Sequence, residues 1–300
     1  MADAVDTPTT PSARPHAAPA SRPTHAPAPV PATLVLDGGG RHFLHLYYRV
    51  DRAALSHLGA DDRLEGRNQI IEAVDQARAG GSMQIQTFAV LGHRADFGLM
   101  MAGTDLRAIH DLQMAVQASN LGPAIVPTYS FYSITEISEY VPDVEAYGKM
   151  LREREQLDPE SRVYQTKLNA YAERLVPMNK QRLTPDFPDW PCFCFYPMSK
   201  MRNGDQNWYT LPYAERNELM SQHGKSGMRF AGKVMQVITA STGLDDWEWG
   251  VTLWAKNPSY LKDIVYTMRF DESSAKYALF GDFYFGYLLP AGELLDTIRV

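Results

Sequence analysis

The order of local patterns repeats along this chain, and the repeat limits the architectures open to it. Strand signals fall over 43–50, 83–91, 96–102 and 129–137, and helical signals over 64–79 and 105–119. The second half follows the same order, with strands over 193–197, 232–241, 247–256 and 280–288 and helices over 213–222 and 259–268. Local details repeat too. Residues 87–109 contain a turn at Gly92, a strand through Gly98 and a helix opened by Asp105. Residues 239–264 contain the matching turn at Gly243, a strand through Gly250 and a helix after Pro258. Two β-α-β-β-α-β units in tandem place the chain in the α+β class, as two ferredoxin-like halves whose sheets pack or close together.

The halves are expected over 41–142 and 190–300, joined by a largely polar connection over 143–189 that holds a helix over 158–175. A connection this long in a compact body is often functional, and its end, Pro177 to Arg182, is expected to form a flap over a site. Residues 1–33 are rich in Pro, Ala, Thr and Ser. Such a segment buries too little apolar surface to offset its ordering entropy, which predicts a disordered tail. Gly38-Gly39-Gly40 reads as a hinge between tail and body, since it lacks the spacing of a phosphate-binding glycine loop.

The formal charge of −6 argues against nucleic acid as the principal partner. Asp3, Asp6, Arg14 and Arg22 cancel within the first segment, so the body carries the whole excess. No apolar run is long enough to span a bilayer, and no charged-then-apolar leader opens the chain, so no membrane association is expected. Cys192 and Cys194 form a Cys-x-Cys pair that suits neither an unstrained disulfide nor, alone, a metal site. They are expected as small buried residues, in a protein of the reducing cytoplasm.

The run Cys192 to Lys200 carries the densest chemistry. On a strand, Cys192, Cys194 and Tyr196 share one face, which Met198 and Lys200 join if the chain stays extended. Phe193 and Phe195 take the other face. Pro197 cannot donate to a sheet ladder and predicts an edge or a widening bulge there. A phenol, a thioether and an ammonium on one surface suit a pocket better than a packed core. His223 precedes Gly224, which reads as a helix stop, so the imidazole could simply cap the helix end. Gln236 alone is an ordinary polar strand residue. Trp247 and Trp249 are expected to share a strand face opposite Trp254, as core or subunit packing.

Several longer motifs accompany these residues: Arg182, Tyr196-Pro197-Met198-Ser199-Lys200, Asn207-Trp208-Tyr209, His223-Gly224, and Ala231-Gly232-Lys233 leading to Gln236. Then come the run from Gly243 through Trp247-Glu248-Trp249 to Leu253, and Met268-Arg269-Phe270-Asp271-Glu272. Together they resemble the coproheme decarboxylases, hydrogen-peroxide-dependent haem synthases of the chlorite dismutase-like superfamily. The resemblance is close over 182–287, looser from 42, and absent from the first thirty or so residues.

That resemblance implies a dimeric α+β barrel assembled as a pentameric ring. It makes His223 the axial ligand of a haem-type iron and places Gln236 on the opposite, distal side. Chlorite-degrading members carry an arginine at the position of Gln236, and glutamine cannot supply that cation. Tyr196 becomes the redox-active residue, whose radical takes a hydrogen from a propionate. Lys200 would position that propionate and help move its proton, while Arg182 and Ser274 would anchor carboxylates, with Ser273 leaving the register open. Pro197, Met198 and Ser199 complete the implied substrate contacts, with Met198 on the macrocycle edge. Arg269 is a weaker candidate, explained equally well by an ion pair with Asp271 or Glu272.

The substrate implied is iron-coproporphyrin III, whose own iron is the redox centre. Hydrogen peroxide is the oxidant and haem b the product, through a monovinyl monopropionate intermediate. A transient contact with coproporphyrin ferrochelatase is also implied. The alternatives are another haem-dependent enzyme of the superfamily, such as a chlorite dismutase or peroxidase, and a non-catalytic haem carrier. Gln236 and the Tyr196 to Lys200 run argue against the first, and a carrier would keep His223 without needing Tyr196 and Lys200 together.

Overall fold

The structure is a computed structural model, and it describes residues 33–300. The tail expected over 1–33 lies outside the described residues, apart from Thr33. Leu34 to Val300 form one compact unit. Its first half contains β1 (His42–Val50), α1 (Arg52–His57), α2 (Ala60–Ala79), β2 (Met83–Val90), β3 (Phe97–Gly103), α3 (Leu106–Ala118) and β4 (Ile125–Ile134). The connection holds α4 (Val144–Glu153) and α5 (Arg162–Leu183). The second half contains β5 (Cys192–Lys200), a small hairpin of β6 (Arg202–Asn203) and β7 (Gln206–Asn207), and α6 (Tyr213–Met228). Then follow β8 (Val234–Ala240), β9 (Trp249–Ala255), α7 (Pro258–Met268), α8 (Glu272–Ala275), β10 (Ala278–Phe280), β11 (Tyr284–Leu288) and α9 (Ala291–Thr297).

Local chemistry sets many of these boundaries. Asp105 caps α3 through the Arg107 amide, Asp143 caps α4 through Ala146, and Ser161 caps α5 through Tyr164. Asn257 caps α7, with Pro258 fitting the first turn, where its missing N–H has no cost. Several expected boundaries shift, among them those of α5, β4 and β5, and two matter most here. Helix α6 runs through Gly224 to Met228, because Gly224 stays right-handed, so His223 lies inside the helix and not at its end. The strand expected over 280–288 divides into β10 and β11.

The strand order shows how the repeat is used. In the first half it reads β2-β3-β1-β4, and in the second β8-β9-β5-β11, the same ferredoxin-like order twice. The halves join antiparallel at both seams, β4 to β8 through Ile134 and Ala240, and β11 to β2 through Gly286–Leu288 and Phe88–Val90. With β5 paired to β9, these eight strands among the described residues close into a ring. At the β11–β2 seam a Cβ on Gly286 would stand 1.8 Å from the Ala89 carbonyl oxygen, so only glycine fits that approach.

The ring interior is aromatic, with Phe43, Tyr47, Phe88, Phe131, Phe193, Phe195 and Trp254 all fully buried. Trp254 also ties the halves by donating to Gln86 Oε1 at 2.7 Å. Outside the ring, the first half packs helices onto its sheet through Ile70, Val74, Ile109, Leu112 and Val116. Each such side chain contributes about 1.5–3 kcal/mol on burial. The corresponding layer of the second half is only partly filled, by residues such as Val234, Leu253, Leu261 and Ile264. A cavity lies between the sheet and helices α6 and α7.

Strand β5 is central, with β9 on one side and β10 and β11 on the other, so the edge expected from Pro197 is corrected. The Pro197 carbonyl accepts from the Gly281 amide at 2.8 Å. A residue's N–H and C=O point to the same side of a strand, so the missing donor falls at the break between β10 and β11.

Candidate active site

Alternation along β5 decides what reaches the cavity. Tyr196, Met198 and Lys200 line it, whereas Phe193 and Phe195 point into the ring. Pro197 and Ser199 sit on the same side of β5 as those phenylalanines and do not line the cavity, which corrects their expected substrate contact. Ser199 instead accepts from the Glu248 amide through its hydroxyl at 3.2 Å. Cys192 and Cys194 are buried beside Tyr196 as free thiols, and burial pushes Cys194 up to about 12.

The cavity is about 490 Å³. Its sheet wall is completed by Gln236 and Ile238 of β8 and by Trp249, Val251 and Leu253 of β9. Trp249 is therefore a cavity residue. Trp247 precedes β9, packs towards the ring interior and does not share its face. The helical wall carries His223 and Met220 of α6 and Ile264, Val265 and Met268 of α7. His223 and Gln236 thus face one cavity from helix and sheet respectively, and Tyr196 lines the same space.

His223 is oriented by Asp271, whose Oδ2 lies 3.0 Å from Nδ1, and Ser226 Oγ donates to the other carboxylate oxygen at 2.7 Å. A carboxylate accepts only, so Nδ1 carries the proton and Nε2 keeps its lone pair for a metal. Burial pushes the imidazole below its usual range, Asp271 opposes this, and the nearby Lys200 cation adds to it. A neutral imidazole follows, the form that ligates iron. Among the described residues no cluster of three His, Cys, Asp or Glu could hold a metal ion. One oriented imidazole facing an open cavity fits a metal that arrives within a macrocycle.

Tyr196 is buried, and its ring stacks on Phe283 at 4.4 Å. Burial raises its phenol well above the usual range, with Cys194 adding to the rise and Arg269 opposing it. Lys200 is buried too, donates from Nζ to the Ser273 carbonyl at 2.9 Å, and lies 4.1 Å over the Trp208 ring. Burial lowers its pKa to about 8, against the pull of Glu248. The two serines separate. Ser274 lines the cavity, 3.5 Å from His223 Nδ1, whereas Ser273 holds Lys200 through its backbone.

Arg182 lies in the last turn of α5, so the flap expected over Pro177 to Arg182 is a continuous helix end whose arginine reaches the cavity. Arg269 lines it as well and stacks 4.6 Å over Phe280. Its expected ion pair does not form, because Asp271 serves His223 and Glu272 pairs with Lys276. The first half supplies a wall that sequence reasoning missed: Glu136, Ser138, Glu139 and Tyr140 follow β4, and Arg216 of α6 contacts Tyr140 and Glu139. Desolvation raises the Glu136 carboxyl, while Trp249 and Arg182 pull it down. Glu139 raises it further. The cationic side chains at the cavity are Arg182, Lys200, Arg216 and Arg269, against Glu136 and Glu139, a balance that favours a polyanionic ligand.

The chlorite dismutase family model matches residues 63–289. A coproheme decarboxylase from Staphylococcus carnosus (strain TM300) is 36% identical over 264 residues, covering 87% of this chain and 96% of the relative. Among solved structures, a heme-binding protein from Thermus thermophilus superposes with TM-score 0.72 at 34% identity, covering 87% of this chain and 96% of that one. A mutant chlorite dismutase from Candidatus Nitrospira defluvii shares the fold, with TM-score 0.65 at 16% identity over 88% of this chain and 97% of its own. The cavity between helix and sheet sits in the matched region, and the chain belongs to the chlorite dismutase family.

Proposed function

We propose that this protein is a coproheme decarboxylase, acting on iron-coproporphyrin III in haem biosynthesis. The observation that carries the reading is the convergence of His223, Tyr196, Lys200 and Gln236 on one cavity bordered by four cationic side chains. The substrate carries four propionates, and Arg182, Lys200 and Ser274 line the cavity and would meet carboxylates around its rim. When bound, the porphyrin iron supplies the centre at which hydrogen peroxide is reduced. Gln236 offers an amide there and no cation, which favours this reading over chlorite breakdown.

Each step converts –CH2–CH2–COO⁻ with H2O2 and H⁺ into –CH=CH2, CO2 and two H2O. Tyr196 gives up an electron and its Oη proton together, which avoids a charged intermediate in its buried setting, and then takes a hydrogen atom from the propionate chain. As the C–CO2 bond breaks, one of its electrons completes the vinyl double bond and the other, the second electron of the oxidation, leaves to the peroxide-derived oxidant. Lys200 holds the reacting carboxylate and supplies the proton that each turnover consumes. Its lowered pKa suits this exchange near neutral pH. Two such steps pass through a monovinyl monopropionate intermediate to haem b. A ring of five copies, a cytoplasmic setting and transient contact with coproporphyrin ferrochelatase belong to the same reading, as does a division into halves at 41–142 and 190–300 around the 143–189 connection.

The test loads the purified protein with iron-coproporphyrin, titrates peroxide and follows product mass. Two successive losses of a carboxyl group are expected. Oxygen release from chlorite, or binding without mass change, would replace this reading by one of its alternatives.

A further inference from the structure

Glu248 does not line the cavity, yet it is one of the few carboxylates buried in the body, with 6% exposure. It stands one residue before β9. Its Oε2 accepts from the Lys200 backbone amide at 2.7 Å, and its own amide donates to the Met198 carbonyl at 3.2 Å. The exposed Arg202 reaches Oε1 at 3.9 Å, and burial together with the Glu248 charge holds the Tyr209 phenol above its usual range. Burying a carboxylate is costly unless it is compensated, and an exposed arginine at that distance compensates little.

On the cavity side the Lys200 ammonium has the Ser273 carbonyl and the Trp208 ring, both neutral, and no carboxylate in ion-pair contact among the described residues. We propose that Glu248 is the positioning residue of Lys200, fixing its backbone at the end of β5 and supplying the counter-charge that keeps its ammonium in the cavity. The titratable and charged groups around Lys200 are Glu248 before β9, His223 on α6 with Asp271 behind it, and Arg202 and Tyr209 beyond β5. Of these, Glu248 opposes the lowering of the Lys200 pKa by burial, and His223 and Lys200 oppose each other. The role in decarboxylation rests on the function proposed above, but the link between the two residues does not.

The experiment therefore starts with substrate-free protein. An amine-acylating reagent is applied from about pH 6 to about pH 10, and labelling of Lys200 is quantified by mass spectrometry. Glu248→Gln keeps an acceptor for the Lys200 amide and removes the charge. Its Lys200 midpoint is expected to fall by roughly one pH unit, so labelling at neutral pH rises roughly five-fold. Arg202→Gln removes the exposed cation that offsets the Glu248 charge and is expected to move the midpoint upward, and it decides the matter should Glu248→Gln not fold. A Glu248→Gln midpoint equal to wild type, or an Arg202→Gln midpoint that stays put or falls, overturns the proposal. In the loaded enzyme the alkaline limb of decarboxylation should shift with Glu248→Gln, whereas a purely structural role lowers the rate equally at every pH. A wild-type protein that labels as expected but never decarboxylates refutes the proposed function alone.

Discussion

Asp271 Oδ2 lies 3.0 Å from His223 Nδ1, which fixes the imidazole tautomer and aims the opposite nitrogen at the cavity. Loss of such a carboxylate partner typically lowers metal affinity by roughly 10- to 100-fold. Asp271→Ala should therefore weaken iron-coproporphyrin binding by a factor in that range, measured by titrating the Soret absorbance. Asp271→Asn should retain much of the orientation. Unchanged binding in both variants would remove Asp271 from the account.

Tyr196→Phe keeps the ring that stacks on Phe283 and removes only the hydroxyl. Its stability should stay within about 1 kcal/mol of wild type, and it should bind the substrate normally. Product mass after peroxide addition should stay that of iron-coproporphyrin. Haem b at a near wild-type rate would show that the phenol is not the oxidised residue.

Lys200 makes stability depend on pH with a definite sign. Burial lowers its pKa from 10.5 to about 8, so between those values the unfolded chain binds more protons than the native one. Stability from this residue must then rise as pH increases from about 8 towards about 10, by at most roughly 3 kcal/mol. Urea unfolding across that window should show the rise in wild type and a flatter profile in Lys200→Met. Activity should move the other way and fall above about pH 8, as the ammonium loses its proton.

Gly286 tests the ring itself. Its Cα stands so close to the Ala89 carbonyl that an added methyl must push the β11–β2 seam apart. Gly286→Ala should cost roughly 2–4 kcal/mol, read as a lowered thermal midpoint. A melting curve like that of wild type would mean that the halves are not joined as described.

Much of this architecture was legible in the sequence because apolar runs and turn residues marked the strands. Strands such as β1 and β9 are nearly continuous apolar runs buried on both faces, and the paired turns at Gly92 and Gly243 gave the internal repeat. The Tyr196, Met198, Lys200 face followed from strand geometry alone. Other features depended on tertiary context. Pro197 reads as an edge residue until β10 and β11 are seen to part beside it. Gly224 reads as a stop, but helix α6 continues because nothing forces a left-handed residue there. The partnership of His223 with Asp271 spans 48 residues and could not be inferred from spacing, nor could the wall supplied by Glu136 to Tyr140 from the opposite half. For Ser273 and Ser274 only the helical turn of α8 decides which side chain meets the cavity.

The most direct measurement is a diffraction structure of the protein with iron-coproporphyrin bound. The account predicts iron bonded to His223 Nε2, Gln236 on the opposite face of the macrocycle, and a propionate lying between Tyr196 Oη and Lys200 Nζ. Iron ligated elsewhere, or a macrocycle whose propionates all lie out of reach of Tyr196, would contradict it.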